Sequence, residues 1–173
     1  MEYDDLILDT TPLWEFLKVR FQEEIACLWL GVLPEPLRLA LCDLIVRHRR
    51  RIRTTSGVVA EIQRLVQRVS PDPPYSRSRP RFHAQLWGLA RRQFRDLEIE
   101  EHNAPLLELN PDILTHIGPV DAGLVAAAKR LVGARRRVLL VTSDRTLRNW
   151  CAHEDVPASF VEDSVRSPGE SLS

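Results

Sequence analysis

Short apolar or β-branched segments alternate with longer amphipathic segments along this chain. The short segments, which predict strands, lie at 6–8, 52–54, 106–109, 138–141 and 159–161. Strands that alternate with helices are typical of a mostly parallel sheet with helices on both faces. We therefore expect an α/β protein, a three-layer α/β/α sandwich with a mostly parallel sheet of four to five strands.

Apolar residues at helical spacing predict the connecting helices. These cover about 12–24, 37–46, 56–69, 82–96, a short turn after 110–111, 119–133 and 145–152. Thr55 or Ser56 is placed to cap the third helix, Asp144 to cap the last, and Gly133 to end the helix before it. Residues 70–80 contain four prolines and predict a loop, a candidate hinge or flap. Residues 1–165 then form one domain, followed by a flexible tail at 166–173.

Composition is that of an ordinary globular protein. The chain has 173 residues, of which 44% are hydrophobic and 28% charged. The sequence contains no uncharged apolar run of the length that a bilayer helix needs, and its start is acidic, so we expect a cytoplasmic protein without membrane association. Cys27, Cys42 and Cys151 are widely separated, which predicts free thiols rather than disulfides or a zinc site.

Charge is balanced overall but unevenly distributed. The 24 basic and 24 acidic residues cancel, yet residues 47–95 carry 13 basic and 2 acidic side chains between two acidic ends. Nearly all the basic residues are arginine, which donates paired hydrogen bonds to phosphate. The basic stretch at 47–53 and the arginines at 77–95 could follow a phosphate backbone, or could be solvated helix ends that neutralise the acidic segments.

Four acidic residues occupy matching positions in the predicted elements. Asp9 and Asp144 directly follow apolar strands, whereas Glu61 and Asp121 lie in the first two turns of helices. In a parallel sheet, the strand C-termini and the helix N-termini that follow them share one edge. Four carboxylates at that edge would repel one another unless a divalent cation neutralised them, and oxygen ligands favour Mg²⁺ or Mn²⁺. Such a metal site can activate water for attack on a phosphodiester.

Each acid taken singly also has an ordinary structural explanation. Asp9 and Asp144 could be N-caps, and Asp121 could complement a helix dipole. Glu61 differs because it lies beside the apolar stripe of its helix, where a carboxylate costs stability unless it has a partner.

Four stretches carry a family resemblance, and they occur in the family's order over about residues 6–163. They are LILDTTPL at 6–13, TSGVVAEI at 55–62, VDAGLVAAA at 120–128 and LVTSDRTL at 140–147. The ordered set resembles the PIN domain, the metal-dependent nuclease fold of VapC-type toxins and of RNA-processing enzymes.

The resemblance implies an active site as well as a fold. It implies that Asp9, Glu61, Asp121 and Asp144 are the catalytic, metal-binding acids and that Thr10 with Thr142 or Ser143 supports them. It further implies Mg²⁺ or Mn²⁺ as cofactor and phosphodiester cleavage that leaves a 5′-phosphate.

The expected function is therefore a divalent-metal-dependent endoribonuclease. Single-stranded or structured RNA is the expected substrate, and its candidate contacts are Arg49, Arg50, Arg51 and Arg145. An antitoxin and a second copy of the chain are possible protein partners. The alternative is a non-catalytic PIN-like protein-interaction module, or a toxin component that an antitoxin keeps silent.

Overall fold

A five-stranded parallel sheet forms the centre of the protein. The computed structural model describes residues 3–25, 33–70, 78–95, 97–100 and 111–165. The strands are β1 (Asp5–Leu8), β2 (Ile52–Thr55), β3 (Glu98–Glu100), β4 (Val138–Thr142) and β5 (Ala158–Phe160). They lie in the order β3-β2-β1-β4-β5, and every neighbouring pair is parallel. The α/β class and the parallel sheet predicted from the sequence are confirmed.

Eight helices connect or follow these strands in the described part of the chain. They are α1 (Thr10–Ile25), α2 (Glu35–Arg47), α3 (Ser56–Arg68), α4 (Arg79–Phe94), α5 (Pro111–His116), α6 (Pro119–Gly133), α7 (Arg145–His153) and α8 (Val161–Ser164). A 3-10 turn at Arg49–Arg51 leads into β2. Helix α1 packs against α2, α3 and α4, whereas α6 packs against α5 and α7 and also contacts α3. These two groups of helices are compatible with the predicted three-layer sandwich.

Strand β3 was not predicted from the sequence. It lies at Glu98–Glu100, directly after the predicted fourth helix, and pairs with β2 at the edge of the sheet. A short strand that contains charged residues is common at an edge, and it lacks the apolar run from which buried strands are recognised. The predicted strand at 106–109 lies outside the described residues, as do Cys27, the tail at 166–173 and most of the proline-rich segment.

Other predicted boundaries are close to those observed. Helix α6 ends at Gly133 as predicted, but the left-handed backbone conformation that follows it belongs to Arg135, with φ of 61°. Strand β5 begins one residue early, and Val161 opens α8 instead of ending the strand. Cys42 and Cys151 are free thiols, as expected. Within the described residues, no helix is both long enough and apolar enough to cross a bilayer.

Helix α1 is enclosed by its neighbours over much of its length. Its side chains include the buried ion pair of Lys18 with Glu15, one turn apart on the same helix. Pairing the two charges offsets part of the cost of removing them from water. Helix α1 therefore connects the sheet edge at Thr10 with the outer helices through a largely buried segment.

A buried ion-pair network joins the N-terminal ends of three strands. The Asp5 carboxylate is 1% exposed and accepts a hydrogen bond of 2.6 Å from Nε of Arg53, which is also buried. Arg136, just before β4, donates two further bonds to the same carboxylate. Asp5 thus links β1, β2 and the start of β4 at the edge opposite to the strand C-termini.

Removing the Asp5 carboxylate should strongly destabilise the protein. Asp5→Ala leaves the buried Arg53 guanidinium without this partner, and we expect the free energy of unfolding to fall by about 3–5 kcal/mol in urea titrations. Asp4→Ala is the matched control, because Asp4 pairs with the exposed Arg137 and solvent screens that pair. Equal effects of the two substitutions would contradict the role assigned to Asp5.

Candidate active site

Strand register brings Asp9 beside Thr142. Leu8 of β1 pairs with Val141 of β4, so the next residues on the two strands lie side by side at the C-terminal edge of the sheet. The Thr142 hydroxyl donates a 2.7 Å hydrogen bond to Oδ2 of Asp9. Asp9 is only 6% exposed, and its Oδ1 accepts a bond from the Thr10 amide. The first acid of the predicted site is therefore buried and held on both oxygens.

Glu61 joins the same hydrogen-bonded chain through Thr10. The Thr10 hydroxyl donates to Oε2 of Glu61 over 2.5 Å, linking the start of α1 to the second turn of α3. Helix α3 starts at this edge because Thr55 caps it, with the Thr55 hydroxyl accepting a bond from the Val58 amide. The partner expected for a carboxylate beside an apolar stripe is therefore a threonine hydroxyl.

Asp144 is the N-cap of α7, as its sequence position suggested, and it also joins the chain of hydrogen bonds to Asp9. Its Oδ1 accepts hydrogen bonds from the amides of Thr146 and Leu147, at 2.6 and 3.1 Å, and so caps α7. Its own amide donates to the Thr142 hydroxyl over 2.9 Å, which connects it to Asp9 through one side chain. The helix cap thus holds an exposed carboxylate next to the buried one.

Asp121 completes the cluster electrostatically. It lies half-buried in the first turn of α6, and no side-chain hydrogen bond to it is found within the described residues. Burial, assisted by the negative charges of Asp9, Asp144 and Glu61 in that order, raises the pKa of Asp121 to about 7. Three other carboxylates are thus near enough to disfavour its ionisation.

Burial and the neighbouring negative charges also raise the pKa of two other groups, Asp9 and Cys151. Burial raises the pKa of Asp9, assisted by the charges of Asp144 and Glu61 and opposed by the hydrogen bonds from Thr142 and Thr10. Cys151 of α7 is buried, and burial together with the charges of Asp9 and Asp121 raises the pKa of its thiol to about 12. Cys151 therefore stays a protonated thiol beside the acids, as an unreactive core residue does.

The two acid-bearing helices lie close together at Gly57. A Cβ atom built on Gly57 would be in van der Waals contact with Val120, which precedes Asp121, at 3.4 Å from its Cγ2. Helices α3 and α6 are in contact. Gly57 and Val120 belong to two of the sequence motifs described above. The motifs do not predict this contact, because no local pattern connects residues 63 positions apart.

The structure brings together all four predicted acids but not all the predicted supporting residues. Thr10 and Thr142 make the supporting bonds, whereas Ser143 is exposed, and its side chain has no hydrogen bond recorded within the described residues. Arg145 is exposed at the first position of α7, directly after Asp144.

The basic residues Arg49–Arg51 lie elsewhere. They precede β2, at the N-terminal edge of the sheet, where Arg51 donates to the Tyr3 carbonyl. The acids follow the strand C-termini, so one strand length separates the two groups. The structure therefore does not place these three arginines beside the acids, since strand direction assigns the two groups to opposite edges.

The acids form a charge cluster rather than a finished coordination shell. Within the described ranges, no three His, Cys, Asp or Glu side chains are grouped closely enough to hold a metal ion. Glu61 and Asp144 each direct one oxygen to a hydrogen bond with the protein instead. The unpartnered, half-buried Asp121 is the residue whose chemistry best fits an added cation, because a positive charge would relieve its repulsion.

Compared with known proteins, the chain matches no protein-family model and none of the curated proteins.

Replacing Asp121 should stabilise the metal-free protein at high pH. Its folded-state pKa of about 7 lies above the ordinary value of 3.8, so ionisation costs more in the folded state. The wild type should lose stability as pH rises from 4 through 7, and Asp121→Asn should lose less. In EDTA we expect the variant to be more stable by about 2 kcal/mol at pH 8, about half of the full linkage value because solvent screens this half-buried group, and no more stable at pH 4.

Urea unfolding at the two pH values measures this difference. Asp163→Asn on α8 is the control, because Asp163 is exposed and is not among the charges that raise the pKa of Asp121. A stability gain for Asp121→Asn that is equal at pH 4 and pH 8 would show that carboxylate repulsion is not its cause.

Proposed function

We propose that the protein is a divalent-metal-dependent nuclease that hydrolyses phosphodiester bonds, most naturally those of RNA. The observation that carries the proposal is the chain of hydrogen bonds from Glu61 through Thr10, Asp9 and Thr142 to Asp144, with Asp121 beside it. Four carboxylates from distant segments share one edge of the sheet. Such a concentration of negative charge is costly for a fold unless a cation binds there.

Mg²⁺ or Mn²⁺ is the cation proposed, because every candidate ligand is a carboxylate or hydroxyl oxygen. Asp9, Asp121 and Asp144 would hold it, and Glu61 would complete the site directly or through water. Since no three of these four acids are grouped for coordination, binding requires side-chain rotation, most simply of the exposed Asp144 and of Asp121. A bound divalent ion lowers the pKa of its water and stabilises the leaving oxygen.

Hydrogen bonds from threonine side chains hold the acids in position for cation binding. Thr142 orients Asp9 and, through the Asp144 amide, sets the distance between two acids. Thr10 holds Glu61 in the same way from the start of α1. Asp121, with a pKa of about 7 when no cation is present, would lose its proton as the cation binds. Metal affinity should therefore rise with pH across this range.

A non-catalytic interaction module is the second candidate. The observation in its favour is that Glu61 and Asp144 already accept hydrogen bonds from the protein and that no three of the four acids are grouped around one point. On this proposal the acids cap and brace helices without binding metal. An antitoxin partner and a homodimer stay predictions under either proposal.

Asp9→Asn should abolish metal-dependent cleavage while preserving the fold. The amide oxygen can accept the bond from the Thr10 amide and the amide NH2 can donate to the Thr142 hydroxyl, but the negative charge that binds the cation is lost. We expect the rate of RNA cleavage in Mn²⁺ to fall at least about 100-fold, the scale of losing one charge-stabilising group. Cleavage is measured on a labelled single-stranded RNA, with circular dichroism to verify folding and Asp163→Asn as control. Undiminished cleavage by Asp9→Asn would overturn the proposal.

Metal binding itself separates the two candidates. We expect Mn²⁺ titrated into the wild type to release heat and to raise the thermal midpoint at pH 8, with a weaker effect at pH 6 because Asp121 must lose a proton. Asp121→Asn should bind Mn²⁺ more weakly and lose much of this pH dependence. A wild type without heat or midpoint shift at millimolar Mn²⁺ would favour the interaction module.

A further inference from the structure

We propose that an arginine-lined groove on α4 binds the phosphate groups of the nucleic-acid strand whose cleavage is proposed above. The groove, about 470 Å³ in volume, is lined by Gly88, Arg91, Arg92 and Arg95. This inference rests on the proposed function, because it names where the substrate strand is held outside the acidic cluster.

The lining residues share one helix face. Their spacing of three, four and seven residues from Gly88 places all four on the same side of α4. Arg91, Arg92 and Arg95 are exposed, and the one ion pair recorded for them within the described residues joins Arg92 to Glu24 at 2.7 Å. The face thus presents more positive charge than the described part of the chain neutralises.

Gly88 has no packing reason to be glycine among the residues that the structure describes. A Cβ atom built there would meet none of their atoms within 4 Å, so no close approach of these neighbouring elements requires glycine. Glycine in a helix interior is unfavourable relative to alanine, and like charges four residues apart repel. Both features weaken α4, and both favour a bound anion. The missing side chain of Gly88 leaves the floor of the groove open beside the guanidinium groups, and a negative charge there would offset the repulsion between them.

The ligand chemistry follows from these donors. Arginine forms paired, charge-assisted hydrogen bonds to phosphate oxygens, and three on one helix face can contact successive phosphates. A structural alternative is that the last-turn arginines Arg91 and Arg92 only complement the helix dipole. That alternative accounts for the charge but not for the open glycine.

The groove lies far from the acids, which gives the proposal a distinctive length dependence. Arg92 binds Glu24 near the end of α1, and α1 begins directly after Asp9. Fifteen residues of helix therefore place Glu24 about 20 Å from Asp9. Only an oligonucleotide of several nucleotides could occupy both places, so a very short substrate should not depend on the groove.

The test measures binding of a labelled 20-nucleotide single-stranded RNA in EDTA, where metal-dependent cleavage is absent. Arg91→Ala/Arg95→Ala should weaken binding at least 10-fold and reduce the slope of log affinity against log salt by about 1.4. Arg64→Ala/Arg68→Ala is the matched control, because these exposed arginines of α3 have the same spacing and charge. An equal loss in both variants, or no loss, overturns the proposal.

Gly88→Gln supplies an independent readout. Glutamine favours helix and fills the groove, so the thermal midpoint should rise while RNA affinity falls. A raised midpoint with unchanged affinity would show that the groove is not the binding surface. Polyglutamate that binds as tightly as RNA and displaces it would instead identify an acidic protein segment as the occupant.

Cleavage assays keep the two proposals separate. If the proposal holds, Arg91→Ala/Arg95→Ala slows cleavage of the 20-mer and leaves cleavage of a trinucleotide unchanged. Loss of RNA binding in the variant with no cleavage by the wild type would reject the nuclease and retain the groove. Normal 20-mer cleavage by the variant would reject the groove and retain the nuclease.

Discussion

The hydrogen bond from Thr142 to Asp9 depends on one constraint, the parallel register of β1 with β4. With Leu8 opposite Val141, the next two side chains meet at the C-terminal edge of the sheet. A shift of one residue would turn Thr142 to the other face of the sheet and remove the bond. The rest of the cluster follows from this pairing, because the Thr142 hydroxyl also binds the Asp144 amide and Thr10 continues the chain to Glu61.

Carboxylates at the N-terminal edge of the sheet are paired with arginines, whereas those at the C-terminal edge are held by neutral groups. At the N-terminal edge, Asp5 is neutralised by Arg53 and Arg136, so a buried carboxylate becomes part of the framework. At the C-terminal edge, carboxylates gather without a cationic side chain among their recorded hydrogen-bond partners in the described residues, and hydroxyls and amides hold them instead. Hydroxyls orient a carboxylate without cancelling its charge, so the repulsion remains available to favour a bound cation.

Helix α1 connects the acidic edge with the proposed phosphate-binding groove. Its first residue, Thr10, belongs to the cluster, and Glu24 in its last turn binds Arg92 of α4. Because α1 is packed by α2, α3 and α4, the separation between the two places is held by a largely buried element. Negative and positive surfaces are thereby kept about 20 Å apart, which suits a strand that must be held at one point and cut at another.

Much of this protein could be predicted from its sequence, because the deciding signals are local. Apolar runs followed by Asp9 and Asp144, the Thr55 cap and the helical spacing of α3 and α6 depend on near neighbours, so they indicated the α/β class and the four acids. The edge strand at Glu98–Glu100 has no apolar run, and the site's detailed contacts join distant segments. Only the tertiary structure decided that Thr10 binds Glu61, that Gly57 approaches Val120 and that Arg49–Arg51 lie at the opposite edge, because these depend on strand order and register.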